Sequence, residues 1–246
     1  MTLPLIVNPL PIAAIAQTVG TGAGLDNLAT PNPKEAFVAS GAGQVTIAID
    51  FGVHVVIDTV FLGFTNLPEG ASIDLLGDDA PIGSAVGSHS YRRAPARHAF
   101  VAFDAPIGLT SLQLRVPGFD QALVAGIVAA GLGVRASAGV EPDWGRPITD
   151  TSVVSRLPGG SFGIDRAAAS GGYQWTMPAL TDIERDQLYA LQLDVGIGST
   201  ILAIEDPAAV LGRNEVAHWS LITKPDVFAR TMPGESKWPW QVQDWA

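Results

Sequence analysis

The 246-residue chain has no cysteine, which excludes a disulfide scaffold, a thiolate metal site and a cysteine nucleophile. It is also poor in charge, with 15% charged residues against 47% hydrophobic ones. The charges are unbalanced: 14 Lys+Arg face 24 Asp+Glu, a formal net charge of -10. Such a surface repels nucleic acid and anionic membranes, so no nucleic-acid partner is expected. No apolar run approaches the ~20 residues needed to cross a bilayer, so no membrane insertion is expected either. The opening TLPLIVNPLPIAAIAQ is apolar, but it lacks a basic start and is interrupted by Pro4, Pro9 and Pro11. That pattern argues against a signal peptide. We read residues 1–20 as an extended apolar arm, suited to join a neighbour's sheet edge. The alternative is an ordinary first strand packed on its own domain.

What is present points to strands. The 27 Gly and 18 Pro cut the apolar content into short pieces, the habit of a strand-rich architecture. In residues 43–52, Val45, Ile47, Ile49 and Phe51 alternate with smaller or polar residues, the period of a half-buried strand. Residues 55–64 (VVIDTVFLGF) are apolar enough for a strand covered on both faces. Residues 71–76 alternate again and stop at Gly77-Asp78-Asp79. After a long loop, 98–103, 111–116 and 124–134 complete a set of strands expected to form an antiparallel sandwich. The Pro-, Gly- and acid-rich stretch 137–150 reads as a boundary.

From that boundary onward lie all six tryptophans, the first of them Trp144 within it, and one clear helix. Thr181-Asp182-Ile183-Glu184 is a capping box, Leu188, Leu191 and Val195 form an apolar stripe, and Gly196 is placed for a left-handed stop. A helix is therefore expected over 182–195, flanked by strands at 200–205 and 215–223.

The stretch from Leu25 to Leu76 resembles the discoidin (F5/8 type C) family. Its elements are Asp26-Asn27-Leu28, the turn TPNPKEAFVAS leading to Phe37, Ile49-Asp50-Phe51-Gly52, and Val56-Ile57-Asp58-Thr59-Val60. Leu112-Gln113-Leu114-Arg115-Val116 and Gly126-Ile127-Val128 resemble the family's closing strands. Phe37 stands where the family usually has Trp, and its calcium loop is not recognisable. The second half resembles C-terminal regions of minor tail and baseplate-associated proteins of tailed phages, through Leu180 to Arg185, Ile197 to Leu202, Asp206-Pro207 and Val242 to Trp245. Together these resemblances imply a galactose-binding-like jelly-roll sandwich (21–137), then a smaller β-rich domain with one α-helix (138–246).

Several motifs invite chemistry. Gly159-Gly160-Ser161-Phe162-Gly163 matches the G-x-S-x-G of a nucleophile elbow, with Asp206 and His218 downstream. An elbow needs a core strand before it and a helix after it, and here Pro158 and IDRAAASGG stand instead. A Gly-rich hairpin turn is the better reading. His54, His89, His98 and His218 lack the spacing of a metal site, and no metal or cofactor is expected. Gly20 to Gly24 is read as a flexible loop, and Asp78-Asp79 as a solvated turn.

The loop 88–98 concentrates His89, Tyr91, Arg92, Arg93 and Arg97 in an otherwise acidic protein. Tyr and Arg are favoured as interface anchors, so this loop is a candidate contact for an acidic neighbour or a glycan. A solvated loop offsetting local acids is the plain alternative. Trp238, Trp240 and Trp245 form a candidate aromatic cluster. Alternation of Trp238 and Trp240 favours core or inter-subunit packing over sugar stacking.

The expected function is a non-enzymatic structural component of a phage-like tail, homo-oligomeric, contacting other tail or baseplate subunits and a host-surface glycan. It would be assembled in the bacterial cytoplasm and located in the virion. The alternative is a stand-alone carbohydrate-binding module, and the third reading a serine esterase using Ser161.

Overall fold

The structure is a computed structural model and describes residues 3–91, 96–223 and 226–245. The protein is mostly β, with one α-helix among the described residues. It divides into two compact units: a sandwich unit, 4–135 with 202–217, and an aromatic unit, formed by 1–3, 136–201 and 218–246. The expected second domain, 138–246, thus differs by the segment 202–217, which packs with the first.

In the sandwich unit β1 (Leu5–Val7), β2 (Ala14–Val19), β3 (Gly22–Ala23) and β4 (Phe37–Ala39) precede two long strands. A 3-10 turn at Leu25–Ala29 separates β3 from β4. The first long strand, β5 (Val45–Thr65), carries both apolar blocks anticipated as separate strands. Its pairing shifts register between Asp50 and Val55, where Gly52 adopts φ 72° and donates its N–H to Asp50 Oδ1 at 2.7 Å. Only glycine takes that conformation at little cost, so the strand bends there without ending.

The strand anticipated at 71–76 is β6 (Ser72–Gly77), and the residues anticipated as a long loop hold its hairpin partner, β7 (Ala80–Gly87). Asp78 and Asp79 form its two-residue turn at φ 44° and 66°, the conformation a tight hairpin requires. Asp78 accepts the backbone N–H groups of Ser111 and Thr110, and these hydrogen bonds hold its carboxyl below the ordinary value. The second long strand, β8 (Arg97–Val116), pairs with β5 from Val45↔Val116 to Thr65↔Arg97. It also pairs with β6 near its end and with β7 near its start. Two bent strands therefore serve both layers, and the hairpin closes one side. Between the layers Phe37, Ile47, Ile49, Ile57, Leu62, Ile73, Leu75, Leu112 and Leu114 are buried in one core. The unit continues through β9 (Val124–Ala125), β10 (Ile127–Gly131) and β11 (Gly133–Arg135).

In the aromatic unit β12 (Val153–Arg156) and β13 (Phe162–Asp165) form a separate hairpin. They are followed by β14 (Gly172–Leu180) and α1 (Asp182–Val195). β15 (Thr200–Ile204) leads the chain back to the sandwich unit. β16 (Ala217–Ile222), β17 (Ala229–Met232) and β18 (Glu235–Asp244) complete the aromatic unit, where β18 pairs with β14, β16 and β17.

The N-terminal residues correct the arm reading. β1 lies between β11 and β15, with Ile6 opposite Val134 on one side and Ala203 on the other. Leu5, Ile6 and Val7 are each at most 1% exposed. Three consecutive apolar side chains suit a strand covered on both faces. β2 likewise pairs with β5 of its own unit.

Helix α1 spans 182–195 as the capping box predicts. Thr181 Oγ1 accepts the Glu184 N–H at 3.3 Å, while Glu184 Oε2 accepts the Thr181 N–H at 2.8 Å. Glu184 Oε1 also accepts the Ser137 N–H at 2.7 Å. Gly196 ends the helix at φ 57°, ψ -144°, which is not the left-handed helical stop anticipated but is equally a glycine conformation.

Truncating Ile6 removes a buried side chain from the middle of three paired strands. Ile6→Ala is expected to destabilise the protein by about 2–5 kcal/mol, read from urea unfolding. Partial burial raises the Glu184 carboxyl, but hydrogen bonds from Thr181 and Ser137 outweigh it, leaving the pKa below its ordinary 4.5. A carboxyl depressed on folding stabilises above its unfolded value, and that contribution disappears as pH falls through the folded value. Unfolding between pH 5 and roughly 3 is therefore expected to be less pH-dependent in Glu184→Gln than in the parent protein.

Candidate ligand-binding loop and the aromatic cluster

The candidate loop lies between β7 and β8, and distant residues of the sandwich unit fix its described part. Asn214 donates its N–H to His89 O at 3.1 Å. Its side chain accepts the His98 N–H at 2.8 Å and donates to Ala96 O at 3.3 Å. Glu215 Oε1 accepts the Ser90 hydroxyl and the Tyr91 N–H, the latter at 3.1 Å. The segment that supplies Asn214 and Glu215 is itself tied down by Arg213. Its guanidinium donates to Phe100 O at 2.7 Å and lies 3.8 Å above the Phe100 ring. Burial pulls the Arg213 pKa below its ordinary value, with the Asp206 carboxylate opposing.

Within this frame His89 Nε2 stands 3.7 Å from Glu69 Oε1, and its ring meets Tyr91 edge-on at 5.1 Å. Tyr91 is 72% exposed. Arg97 donates from Nη1 to Leu67 O at 2.9 Å. Phe64, at φ 56°, is a strained backbone position for a bulky residue, and its N–H donates to His98 Nδ1 at 3.2 Å. Among the described residues, His89 Nδ1, Arg97 Nε and Glu215 Oε2 are buried without a hydrogen-bond partner. The structure thus brings His89 and Tyr91 together and anchors Arg97 at the loop's end. Arg92 and Arg93 lie outside the described residues. Sequence reasoning missed Glu69, Asn214 and Glu215, which have no local signal linking them to this loop.

The tryptophans have a different role. Trp238 and Trp240 are 1% and 4% exposed. On one face of the β14–β18 pair, Tyr173 stacks on Trp175 at 4.5 Å, Trp175 on Trp240 at 6.0 Å, and Trp240 meets Trp238 at 5.7 Å. Trp238 donates Nε1–H to Asp226 O at 3.0 Å. These rings are core. Trp245 is half-buried, and its backbone N–H donates to Trp219 O. A groove of about 200 Å³ crosses the same strand pair, with Asp143, Asp226, Gln174, Thr176 and Gln241 among its lining residues.

Ser161 sits in the connection of the β12–β13 hairpin, between Gly160 at φ 87° and β13. The motif is a turn between two strands, lacking the strand-to-helix passage of a nucleophile elbow. His218 engages Asp244, Nδ1 to Oδ1 at 2.9 Å, and Ser220 donates its hydroxyl to the same oxygen. That cluster, whose buried His218 ring stacks on Tyr173 at 5.5 Å, was not anticipated. Its acid is Asp244 and not the proposed Asp206. Among the described residues no group of three or more His, Cys, Asp or Glu could hold a metal ion, and no helix is long and apolar enough to cross a membrane.

No family model and no curated protein matches the chain. Among solved structures it is similar to chitosan-binding module 1 from the chitosanase/glucanase of Paenibacillus sp. IK-5. That likeness has 8% identity and a TM-score of 0.39, covering 51% of this chain and 98% of the other. It is also similar to the family 32 carbohydrate-binding module of C. perfringens NanJ, in complex with galactose, at 9% identity and a TM-score of 0.40, over 51% and 98% of the two chains. A third is the lectin domain of lectinolysin, complexed with Lewis B antigen, at 13% identity and a TM-score of 0.38, over 48% and 92%.

Proposed function

We propose that the protein binds a glycan through the β7–β8 loop of its sandwich unit. The observation that carries this reading is Tyr91, a largely exposed ring on a backbone pinned by Glu215 and set edge-on to His89. An aromatic ring offers its face to the C–H surface of a sugar, and a ring fixed beforehand loses little entropy on binding. His89, against the Tyr91 ring, and Glu69, 3.7 Å from His89, supply polar groups for hydroxyls. The sequence resemblance to the discoidin family points the same way. In this reading the protein acts by binding and not by catalysis.

Tyr91→Ala removes the platform without touching the core. On a glycan array followed by calorimetry, the parent protein is expected to select at least one sugar. The variant should bind it at least about tenfold more weakly, equivalent to about 1.4 kcal/mol, with its melting temperature unchanged. Equal affinity in the two proteins, or no sugar bound by either, would sink the reading.

A place in the tail of a phage-like particle, beside other tail or baseplate subunits, is the second reading. It rests on the order of the two sequence resemblances and on the exposed apolar residues of the aromatic unit, which suit a subunit covered in an assembly. Antibody against the protein is expected to decorate particle tails in electron micrographs of a producing culture. Label confined to free protein would count against it.

A further inference from the structure

One short turn of the sandwich unit, Gly212 to Glu215, carries the described part of the β7–β8 loop. The Glu215 N–H closes it by donating to Gly212 O at 3.0 Å. Arg213 ties it to the Phe100 carbonyl and ring. Asn214 donates its N–H to His89 O and accepts the His98 N–H. Glu215 accepts the Ser90 hydroxyl and the Tyr91 N–H. These contacts fix the backbone of the loop, and none of them holds the Tyr91 side chain. A backbone hydrogen bond leaves χ1 and χ2 free to turn among their rotamers. A ring that is 72% exposed therefore needs a seat of its own to act as a fixed platform.

Gly212 is placed to be that seat. A Cβ added there would lie 2.6 Å from Tyr91 Cε2, 3.3 Å from Cδ2 and 3.5 Å from Cζ. Both flanking carbons are much farther off than the nearest one, as they are for an atom near the ring plane and not for one above its face. The Gly212 backbone thus abuts the Cε2 edge of the ring, and this turn leaves the faces uncovered. Gly212 also adopts φ 63°, a left-handed conformation that glycine takes at little cost. Asparagine tolerates that conformation too, but only glycine brings no Cβ against the ring.

We infer that Gly212 is a positioning residue for glycan binding, seating the Tyr91 ring by its edge and so presenting its face to the sugar. The inference rests on the glycan reading of the loop. It adds that the orientation of the platform, and not only its presence, is set by a residue from a distant part of the chain. A ring seated beforehand loses little entropy when a sugar arrives. A ring pushed off its seat must be ordered by the ligand, and affinity falls accordingly.

The full chain is used throughout, and the first measurement needs no ligand. The chain has only three tyrosines, so selective labelling resolves the Tyr91 ring by NMR. A nuclear Overhauser contact is expected between the Tyr91 ε-proton and a Gly212 α-proton. A proton in the plane of an aromatic ring is shifted downfield, so this α-proton should move upfield in Tyr91→Ala. The second measurement is a double-mutant cycle on the sugar the parent protein selects, followed by NMR titration so that weak binding is still read. Gly212→Ala is expected to weaken binding about three- to tenfold in the parent background, and by less than about twofold beside Tyr91→Ala. The strain of an alanine at positive φ is common to both backgrounds, so the difference between them reports the ring. An absent ring contact overturns the positioning role alone, and so does an equal loss of affinity in both backgrounds. A protein that shows the contact and binds no sugar overturns the glycan reading, and the positioning role with it.

Discussion

The sandwich unit depends on one pairing, that of β5 with β8. Each strand is about twenty residues long, far beyond the usual five or six. Each bends to contribute to both layers, so the core is enclosed between strands that also join its walls. The bend in β5 requires a residue that tolerates positive φ, and Gly52 supplies it. Buried Asp58, on the same strand, accepts the Thr59 hydroxyl and the Gly133 N–H, each at 2.8 Å, and stands 3.4 Å from Arg135. An acid at that position is tolerated because its oxygens are satisfied. It also ties β11, and through β11 the inserted strand β1, to the main pairing.

The parts of the fold readable in the sequence were those set by short-range physics. Alternation at Val45, Ile47, Ile49 and Phe51 needs only the two-residue period of a strand. The helix start needs only Thr181 and Glu184, three residues apart. The missed elements depended on distant partners. β1 is three residues long, and its neighbours lie about 130 and 200 positions away, so no local pattern separates a buried strand from a free apolar arm. β7 contains Pro81 and Gly83, weak strand formers, and its hairpin turn is made by two aspartates instead of the usual Asn-Gly or Asp-Gly.

The candidate site was legible in the same uneven way. Composition alone identified His89, Tyr91 and Arg97 as unusual neighbours in an acidic chain. It could not reveal that Glu215 and Asn214 hold that loop, because those contacts span more than a hundred residues. For the tryptophans, alternation of Trp238 and Trp240 favoured packing, and their burial agrees. Exposure of the β12–β13 hairpin is invisible in sequence, because nothing local in Val-Val or Phe-Gly-Ile separates a covered strand from an exposed one.

The contact between Glu215 and the loop at Ser90 and Tyr91 has a consequence for the order of synthesis. A nascent chain can close β5 on β8 once residue 116 has cleared the ribosome, long before residue 215 is made. Domains generally fold as they are made, from the N-terminal end, so a sandwich core can form while the loop proposed to bind a glycan still lacks its clamp. Recognition would then be switched on late in translation, and a fragment ending at residue 137 would present the same strands with an unfinished loop.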